Sequence, residues 1–249
     1  MSHKSEDTDN HKTDISVIPS DRWGEEVSGD ISRVERNLLE IKEKIAPYKP
    51  RIIGVTKYFG TDAIVNGYRT GIRDFGESRV VESIEKIKSL PTEVRNNSTF
   101  HFIGHLQTNK VEKAVEYFDC IHSIDSLKLA KVVSEAACNL NKREKVLLQV
   151  NIANEIQKFG FNKDSLVEDI EEILSLKGIE VIGLMSMMPF GASEEELRKL
   201  FNYMREFRDE VRKRTNYGFE ELSMGMSDDY HLAVEYGATM IRIGRKLFK

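Results

Sequence analysis

Cysteine is scarce in this sequence, and charge of neither sign dominates it. The two cysteines, Cys120 and Cys138, match neither the spacing of a metal site nor that of a redox motif. We therefore expect two buried, reduced thiols rather than a disulfide framework. Lysine and arginine total 37 against 41 acidic residues, a net charge of −4, so the composition predicts no nucleic-acid partner and no anionic membrane partner.

Long hydrophobic runs are also missing. No apolar stretch approaches the roughly 20 residues that a membrane-spanning helix requires. The first residues, MSHKSEDTDNHKTD, lack the apolar segment of a signal peptide, and we expect residues 1–20 to form a disordered polar tail. These absences predict a cytoplasmic protein whose folded domain spans residues 21–249.

Two apolar patterns alternate along the rest of the chain. A helix is predicted from Trp23, because apolar residues recur there at spacings of three and four: Val27, Ile31, Val34, Leu38, Ile41 and Ile45. Short apolar runs then predict eight strands: Ile52–Thr56, Ile72–Phe75, Phe100–Ile103, Cys120–Ile124, Val146–Asn151, Glu180–Leu184, Glu221–Met224 and Thr239–Ile243. Amphipathic stretches such as LKLAKVVSEAACNL separate these runs, which favours parallel strands joined by helices.

Strands and helices in this order fit two architectures. An open doubly wound sheet that binds a dinucleotide has a glycine-rich turn after its first strand, and VTKYFG is not such a turn. A closed (β/α)8 barrel needs about 250 residues, and the chain has 249. We therefore predict a single TIM-type (β/α)8 barrel, with an extra N-terminal helix that plugs or flanks it.

In such barrels the active site lies at the carboxyl ends of the strands, and phosphate commonly binds after strands seven and eight. The residues predicted at these ends are Lys57, Gly76-Glu77-Ser78, Gly104-His105, Ser223–Ser227 and Arg242–Arg245. Strands one, two, three, seven and eight therefore contribute to the candidate site.

The turns after strands seven and eight predict an anion site next to Lys57. Ser227 would cap the helix YHLAVEYG and Gly244 would form a tight turn, so both would present backbone N–H groups. Strands lie about 4.8 Å apart, so strands seven, eight and one span roughly 10 Å. A neutral Lys57 amine, favoured by partial burial or by Arg242, could then form an imine with a phosphorylated aldehyde. This geometry fits pyridoxal 5′-phosphate (PLP), and it also fits an aldolase-type imine with a sugar phosphate.

Several motifs resemble one known family. They are, in order, GVTKYF, GIRDFGESRV, FHFIGHLQTNK, IHSIDS, GLMSM and LSMGMSDDYHLAVEYGATMIRIGRKLF. They resemble the pyridoxal phosphate homeostasis protein family, which is similar to the barrel domain of bacterial alanine racemase, and the resemblance extends from about Trp23 to the C-terminus. It implies that the aldehyde is PLP and that the protein acts in PLP homeostasis.

The resemblance also implies roles for individual residues. Lys57 would hold PLP as a Schiff base, while Ser227 and the backbone around Gly244 and Arg245 would hold its phosphate. The family usually has a small hydroxyl residue where this chain has Arg245. That change would either remove a phosphate hydrogen bond or replace it with a charge-assisted one.

The ring of PLP would meet a second group of residues. Arg242 would face the pyridine nitrogen, where a side chain that cannot accept a proton opposes ring protonation and weakens the ring as an electron sink. Ser223 and Met224 would line the cofactor edge. Ser78 stands where the family usually has asparagine, so its hydroxyl would replace a longer amide at the cofactor.

Other polar residues at the strand ends have simpler interpretations. His101 and His105 lack a matching carboxylate spacing, so we predict no metal site, and we expect His105 to line the mouth or to bond a neighbour. Glu77 is expected to be a solvated or paired carboxylate rather than a base. Asp228 and Asp229 are expected in the first turn of a helix, where the dipole favours acids.

Two functions remain, a PLP carrier and a PLP-dependent amino-acid racemase. A racemase needs an acid or base on each face of the substrate carbon, and in alanine racemase the partner of the lysine is a tyrosine from a second domain. No second domain follows the barrel before Lys249, and Tyr58 is expected to point away from Lys57. We therefore predict a non-catalytic carrier that is a monomer and whose recipients are PLP-dependent apo-enzymes.

Overall fold

The structure, a computed structural model, describes residues 28–153 and 159–249. Within these residues eight parallel strands form a closed barrel in sequence order, β1 to β8, and β1 pairs with β8. The predicted barrel is therefore confirmed. The predicted tail over residues 1–20 and the predicted start of the first helix at Trp23 lie outside the described residues.

The strands begin and end within two residues of their predicted limits. They are β1 (Arg51–Val55), β2 (Asp74–Glu77), β3 (Thr99–Phe102), β4 (Cys120–Ile124), β5 (Glu144–Gln149), β6 (Ile179–Met185), β7 (Glu221–Met226) and β8 (Met240–Ile243). The helices are α1 (Ser28–Ile45), α2 (Thr61–Arg69), α3 (Val80–Ser89), α4 (Thr92–Asn96), α5 (Val111–Tyr117), α6 (Leu127–Asn139), α7 (Lys163–Ser175), α8 (Glu194–Thr215), α9 (Tyr230–Glu235) and α10 (Arg245–Phe248). In the described part of the chain, no helix is both long and apolar enough to cross a membrane.

Helix α1 flanks the barrel rather than plugging it. Its apolar positions at helical spacing, Val34, Leu38, Ile41 and Ile45, are buried. The helix contacts α2, α9 and α10 on the outside of the barrel. The side-chain amide of Asn37 donates to the carbonyl oxygen of Leu247 at 3.1 Å, which ties α1 to the last helix.

The apolar core is divided by the barrel wall. Alternate strand residues such as Phe75, Phe102 and Leu222 point outward and pack with the helices in one large cluster. A second, small apolar cluster of Cys120, Leu147, Met185 and Ile182 is separate from it. Cys120 is buried as expected, whereas Cys138 is exposed on α6, which corrects that prediction.

Candidate functional site

Lys57 lies just beyond β1, at the carboxyl end of the barrel. Its side chain is exposed, and its Nζ atom lies 5.1 Å from the centroid of the Tyr58 ring. Two expectations are therefore corrected: Lys57 is not partly buried, and Tyr58 does not point away from it. Adjacent residues in a turn are not bound to the strict alternation of a strand, which allows both side chains to reach the same side.

A buried ion pair between Lys86 and Glu77 holds the backbone immediately before Lys57 in place. The Nζ atom of Lys86 donates to Glu77 Oε1 at 2.6 Å and to the carbonyl oxygen of Thr56 at 2.8 Å. The Thr56 hydroxyl donates to the same Glu77 oxygen at 2.7 Å. Glu77 is thus a paired carboxylate, as predicted, but its partner Lys86 was missed. In the sequence Lys86 is one of two lysines on α3, and only the packing of α3 beside β1 and β2 distinguishes it.

The turn after β7 is shaped by a glycine and an aspartate. Gly225 has φ +89°, and an added Cβ there would lie 2.6 Å from the Cβ of Ala233. The Asp229 carboxylate accepts the backbone N–H of Met226 at 2.6 Å. This carboxylate is buried, and desolvation raises its pKa although the Met226 N–H opposes the shift. Together these features close the turn before α9 begins.

This turn corrects three helix positions. Helix α9 begins at Tyr230 and Asp229 occupies the N-cap position, so Ser227 is not the N-cap. Asp228 and Asp229 precede the helix rather than lie in its first turn. The reason is the bond from the Met226 N–H to Asp229, which holds residues 226–229 in a turn. Ser227 is half-buried within that turn, and its role in phosphate binding stays a prediction.

The turn after β8 adjoins the turn after β7. Met226 pairs with Arg242 across the two strands, so the residues that follow them are neighbours. An added Cβ at Gly244 would lie 3.3 Å from the carbonyl oxygen of Val55, so glycine also lets β8 approach β1 closely. Arg245 is exposed, and its guanidinium lies 3.9 Å from the Asp228 carboxylate. The structure therefore brings the two predicted turns together beside β1.

Arg242 is the buried cation at the centre of this arrangement. Its guanidinium donates to Ser223 Oγ at 2.7 Å and to the carbonyl oxygen of Ser186 at 2.8 Å. Burial lowers the pKa of Arg242 to about 10, and the nearby Asp229 carboxylate opposes this. In the described residues, the buried Ser186 hydroxyl has no hydrogen-bond partner. Arg242 is thus oriented by two fixed acceptors.

Met224 does not lie with Ser223. Successive strand residues face opposite sides, and the Met224 side chain packs fully buried in the large outer cluster with the helices. The expectation that its side chain lines the cofactor edge is therefore wrong. Ser223 is fully buried and bonds the guanidinium of Arg242, on the other face of β7.

The ends of β2 and β3 complete the mouth. Ser78 is half-buried, and its backbone packs so closely on Gly104 that an added Cβ would clash with the Ser78 carbonyl oxygen. His105 is partly exposed, stacks on Phe159 with ring centroids 3.6 Å apart, and lies 3.3 Å from Asp125. His105 thus bonds neighbours, as expected, whereas His101 is buried and bonded to Asp74, away from it.

Comparison with known proteins decides the family. A model of the alanine racemase N-terminal domain matches residues 29–249. The pyridoxal phosphate homeostasis protein of Synechocystis is 38% identical over 202 residues, which are 81% of this chain and 92% of that protein. The chain belongs to the pyridoxal phosphate homeostasis protein family. The family member of Homo sapiens is 33% identical over 229 residues, 87% of this chain and 82% of that protein.

Solved structures agree with this family. PipY of Synechococcus elongatus, a structure with PLP bound, is 35% identical with a TM-score of 0.78, covering 87% of this chain and 100% of that chain. An alanine racemase of Clostridium difficile gives a TM-score of 0.73 at 18% identity, covering 87% of this chain and 56% of that one. At this identity the similarity to the racemase supports a shared fold and nothing further. The pyridoxal phosphate homeostasis proteins of Synechocystis and Homo sapiens match over most of both chains.

Proposed function

We propose that this protein binds PLP at the carboxyl end of the barrel and acts in PLP homeostasis, without strong catalysis of its own. The observation that carries the proposal is the convergence of β7, β8 and β1: two adjoining turns, the buried Arg242 and the exposed amine of Lys57. Support comes from PipY, described with PLP bound, and from relatives named for PLP homeostasis. When bound, PLP supplies an aldehyde that forms an imine and a ring that withdraws electrons.

Lys57 is proposed to hold the cofactor covalently. Its Nζ would attack the aldehyde carbon, and the aldehyde oxygen would leave as water as the carbon–nitrogen double bond forms. Lys57 is exposed, so a solute of this size can reach the amine from the mouth. The Thr56–Glu77–Lys86 contacts hold the lysine backbone in place during that step.

The phosphate is proposed to lie between the turns after β7 and β8. Ser227 offers a half-buried hydroxyl, and Gly244 and Arg245 offer backbone N–H groups. The Arg245 side chain is held only by an exposed contact to Asp228 at 3.9 Å. Such contacts contribute little, so the guanidinium can turn to the phosphate at small cost. Ser78, at the end of β2, is proposed to contact the cofactor with its hydroxyl.

Arg242 is proposed to face the pyridine nitrogen. The guanidinium is positioned by Ser223 and Ser186, and it has N–H groups but no acceptor. It would therefore disfavour a protonated ring, which is the form that stabilises carbanions best. This property favours a carrier, and we infer that PLP-dependent apo-enzymes are its recipients and that the protein is a cytoplasmic monomer.

The test is the near-ultraviolet and visible spectrum of the purified protein with and without PLP. Wild type should form the absorbance band of an imine, and Lys57→Ala should not. Lys57→Arg is the matched control, since it keeps the charge and length but cannot form the imine. A band of equal size in either variant would overturn the assignment of Lys57, and no band in wild type would overturn PLP binding.

Adding L-alanine to the loaded protein separates a carrier from a racemase. A carrier should leave the optical rotation unchanged and should restore the activity of an added PLP-dependent apo-enzyme. Steady loss of optical rotation would instead establish a racemase, in which Tyr58, beside the Lys57 amine, is the first residue to replace.

A further inference from the structure

A group of metal-ligating side chains lies inside the barrel, toward the end opposite Lys57. His101 on β3 pairs with Cys120, the first residue of β4. His122 follows Cys120 by two residues, so both point to the same face of β4. All three side chains are buried. Each offers one ligand atom, and these atoms lie within 4.8 Å of one another. Two imidazoles and a thiol therefore meet where such barrels usually have apolar side chains.

Spacing along the sequence does not indicate this group. The predicted absence of a metal site concerned His101 and His105, and these two rings bond different neighbours. Cys120 and His122 have a single residue between them, which is not the spacing of a zinc finger. The third side chain comes from the neighbouring strand, so only the pairing of β3 with β4 brings the three together.

Each of the two rings directs one nitrogen at the other and has its second nitrogen bonded elsewhere. His101 Nδ1 and His122 Nε2 face each other at 2.9 Å. On the outer sides, His101 Nε2 lies 2.9 Å from an Asp74 oxygen. His122 Nδ1 lies 3.1 Å from Ser223 Oγ. Metal-binding histidines commonly have such an outer partner, which accepts the second ring N–H and so orients the ligand nitrogen.

We propose that His101, Cys120 and His122 bind a Zn²⁺ ion, with a water as the fourth ligand. Zinc prefers thiolate at about 2.3 Å and imidazole at about 2.0 Å in tetrahedral geometry. Two zinc-bound nitrogens are then about 3.3 Å apart, and a nitrogen and a sulfur about 3.6 Å. The facing nitrogens would therefore separate by about 0.4 Å, and no other pair would close by more than about 1.2 Å. Rotation about the side-chain torsions supplies movements of this size.

Binding exchanges one proton for one metal ion. Both imidazoles bind as neutral ligands, and burial holds the pKa of His122 well below its usual range, so this ring is neutral. Cys120 binds as a thiolate: its S–H bond breaks as the zinc–sulfur bond forms, and the proton leaves to water. The net change is one Zn²⁺ bound and one proton released.

The hydrogen between the two rings has a defined place in both forms. An ionised Asp74 only accepts, so His101 carries its hydrogen on Nε2 and accepts at Nδ1 from His122 Nε2–H in the metal-free protein. On binding, the His122 hydrogen moves to Nδ1, where Ser223 Oγ accepts it. Ser223 Oγ has two lone pairs, and Arg242 occupies only one of them. Both ring nitrogens that face the cluster are then free to bind the metal.

The charges around the group make binding depend on the thiolate. A Zn²⁺ ion would meet two negative charges, the Cys120 thiolate and the carboxylate of Asp74 beside His101. Arg242 and Arg51 oppose a positive charge here. Arg51 is held between two carboxylates, 3.8 Å from Asp74 and 3.6 Å from Glu221, which offsets its charge. Without the thiolate the remaining ligands are neutral, so we expect no tight binding.

An entry path leads to the group from the base of the barrel. His101 and Cys120 line a cavity of about 480 Å³ at the amino-terminal ends of the strands. Asp74 also lines it, and its side chain is 19% exposed, so solvent reaches this point. The cavity can therefore admit the ion and supply the water ligand.

The first experiment uses the full chain, free of PLP and treated with a chelator, and titrates it with Co²⁺ as a spectroscopic substitute for Zn²⁺. One Co²⁺ per chain should give the visible bands of tetrahedral cobalt and a thiolate-to-cobalt charge-transfer band in the near ultraviolet. Zn²⁺ should then remove both. Cobalt without a charge-transfer band would overturn the site. Binding of Cu⁺ but of neither Co²⁺ nor Zn²⁺ would overturn the assignment to zinc.

The two cysteines provide a matched pair of variants. Loss of an outer partner typically weakens metal binding by about 10- to 100-fold, and loss of the thiolate should exceed this. Cys120→Ser should therefore abolish the charge-transfer band and lower Zn²⁺ affinity more than about 100-fold, whereas Cys138→Ser, exposed on α6, should change neither. An unchanged band in Cys120→Ser would overturn the site. His3 and His11 offer imidazoles but no thiolate, so metal bound there gives no such band.

Two further measurements separate ligands from positioning residues and from damage to the fold. Asp74→Asn should keep the tetrahedral cobalt spectrum but lower Zn²⁺ affinity about tenfold, because Asp74 acts through His101. Unchanged affinity would overturn that role. Urea unfolding in chelator shows that each variant folds. Added Zn²⁺ should raise the urea midpoint of wild type and Cys138→Ser but not of Cys120→Ser, and an unchanged wild-type midpoint would overturn the site.

This proposal and the proposed function fail separately, since the metal group lies at the other end of the barrel from Lys57. An imine band with PLP but no thiolate-bound cobalt would overturn the metal site alone. Thiolate-bound cobalt without an imine band would overturn PLP binding alone.

Discussion

Replacing Lys86 with methionine tests the buried ion pair beneath Lys57. The Lys86 and Glu77 side chains are 14% and 3% exposed, and their N···O distance is 2.6 Å. Removing one partner of a buried pair costs about 3–5 kcal/mol, because a charge is left without compensation. The Thr56 hydroxyl still donates to Glu77, so we expect the lower end, about 3 kcal/mol. The double variant Glu77→Leu/Lys86→Met leaves no unpaired charge and should be more stable than Lys86→Met alone.

The assay is urea unfolding of the single and double variants, with a matched surface pair as the control. Lys131 lies 2.6 Å from Glu172, the same distance, but these side chains are 50% and 53% exposed. Lys131→Met should therefore cost less than about 1 kcal/mol. A loss below about 1 kcal/mol for Lys86→Met, or a double variant less stable than Lys86→Met, would refute the reasoning.

Three further predictions concern glycine geometry, pH and a turn. Gly225→Ala should lower both stability and PLP affinity, because φ is +89° and α9 crowds the new Cβ. Gly237→Ala, at φ +82°, places its new Cβ 4.0 Å from a single atom and should lower stability alone. Urea unfolding and PLP titration compare the two variants. Burial raises the pKa of Glu144 from 4.5 to about 7, so the folded protein holds this proton more tightly than the unfolded chain does. The resulting contribution to the free energy of unfolding is present at low pH and is lost as the pH rises between these values. Glu144→Gln should accordingly gain stability relative to wild type by up to about 1.4 kcal/mol per pH unit in that window, and a constant difference in urea unfolding at pH 5, 6 and 7 would contradict this. Asp229→Ala removes the acceptor of the Met226 N–H, which should lower the free energy of unfolding by about 2 kcal/mol and weaken PLP binding. Urea unfolding and PLP titration curves that match wild type would show that the turn forms without this carboxylate.

Much of the fold follows from periodicity in the sequence. Alternating apolar strands and amphipathic helices predict eight units, and the closing pair of β1 and β8 follows from that number. The carboxyl ends of the strands then bring Lys57 near the turns at Ser227 and Gly244 without knowledge of any distance. These placements depend on backbone topology, which a repeated pattern determines well.

The misplaced residues depend on individual side chains. Ser227 satisfies the rules for a helix cap, but the longer carboxylate of Asp229 reaches the Met226 N–H and moves the N-cap two residues along the chain. Met224 lies in a strand whose alternation sends it to the outer core. Lys86 and His122 become informative only when α3 packs on β1 and when β3, β4 and β7 converge inside the barrel. Local sequence carries no signal for such non-local contacts.

Closure of the barrel has a consequence for synthesis of the protein. Arg51 pairs with Met240 and Gly54 with Ile243, so the first strand finds its second neighbour only when the last strand is made. Until then a nascent chain presents one open edge at β1 and another at the newest strand, and exposed edges of this kind promote aggregation. Translation that pauses shortly before Met240 would therefore leave the chain most vulnerable, and protection by chaperones would matter most at that point.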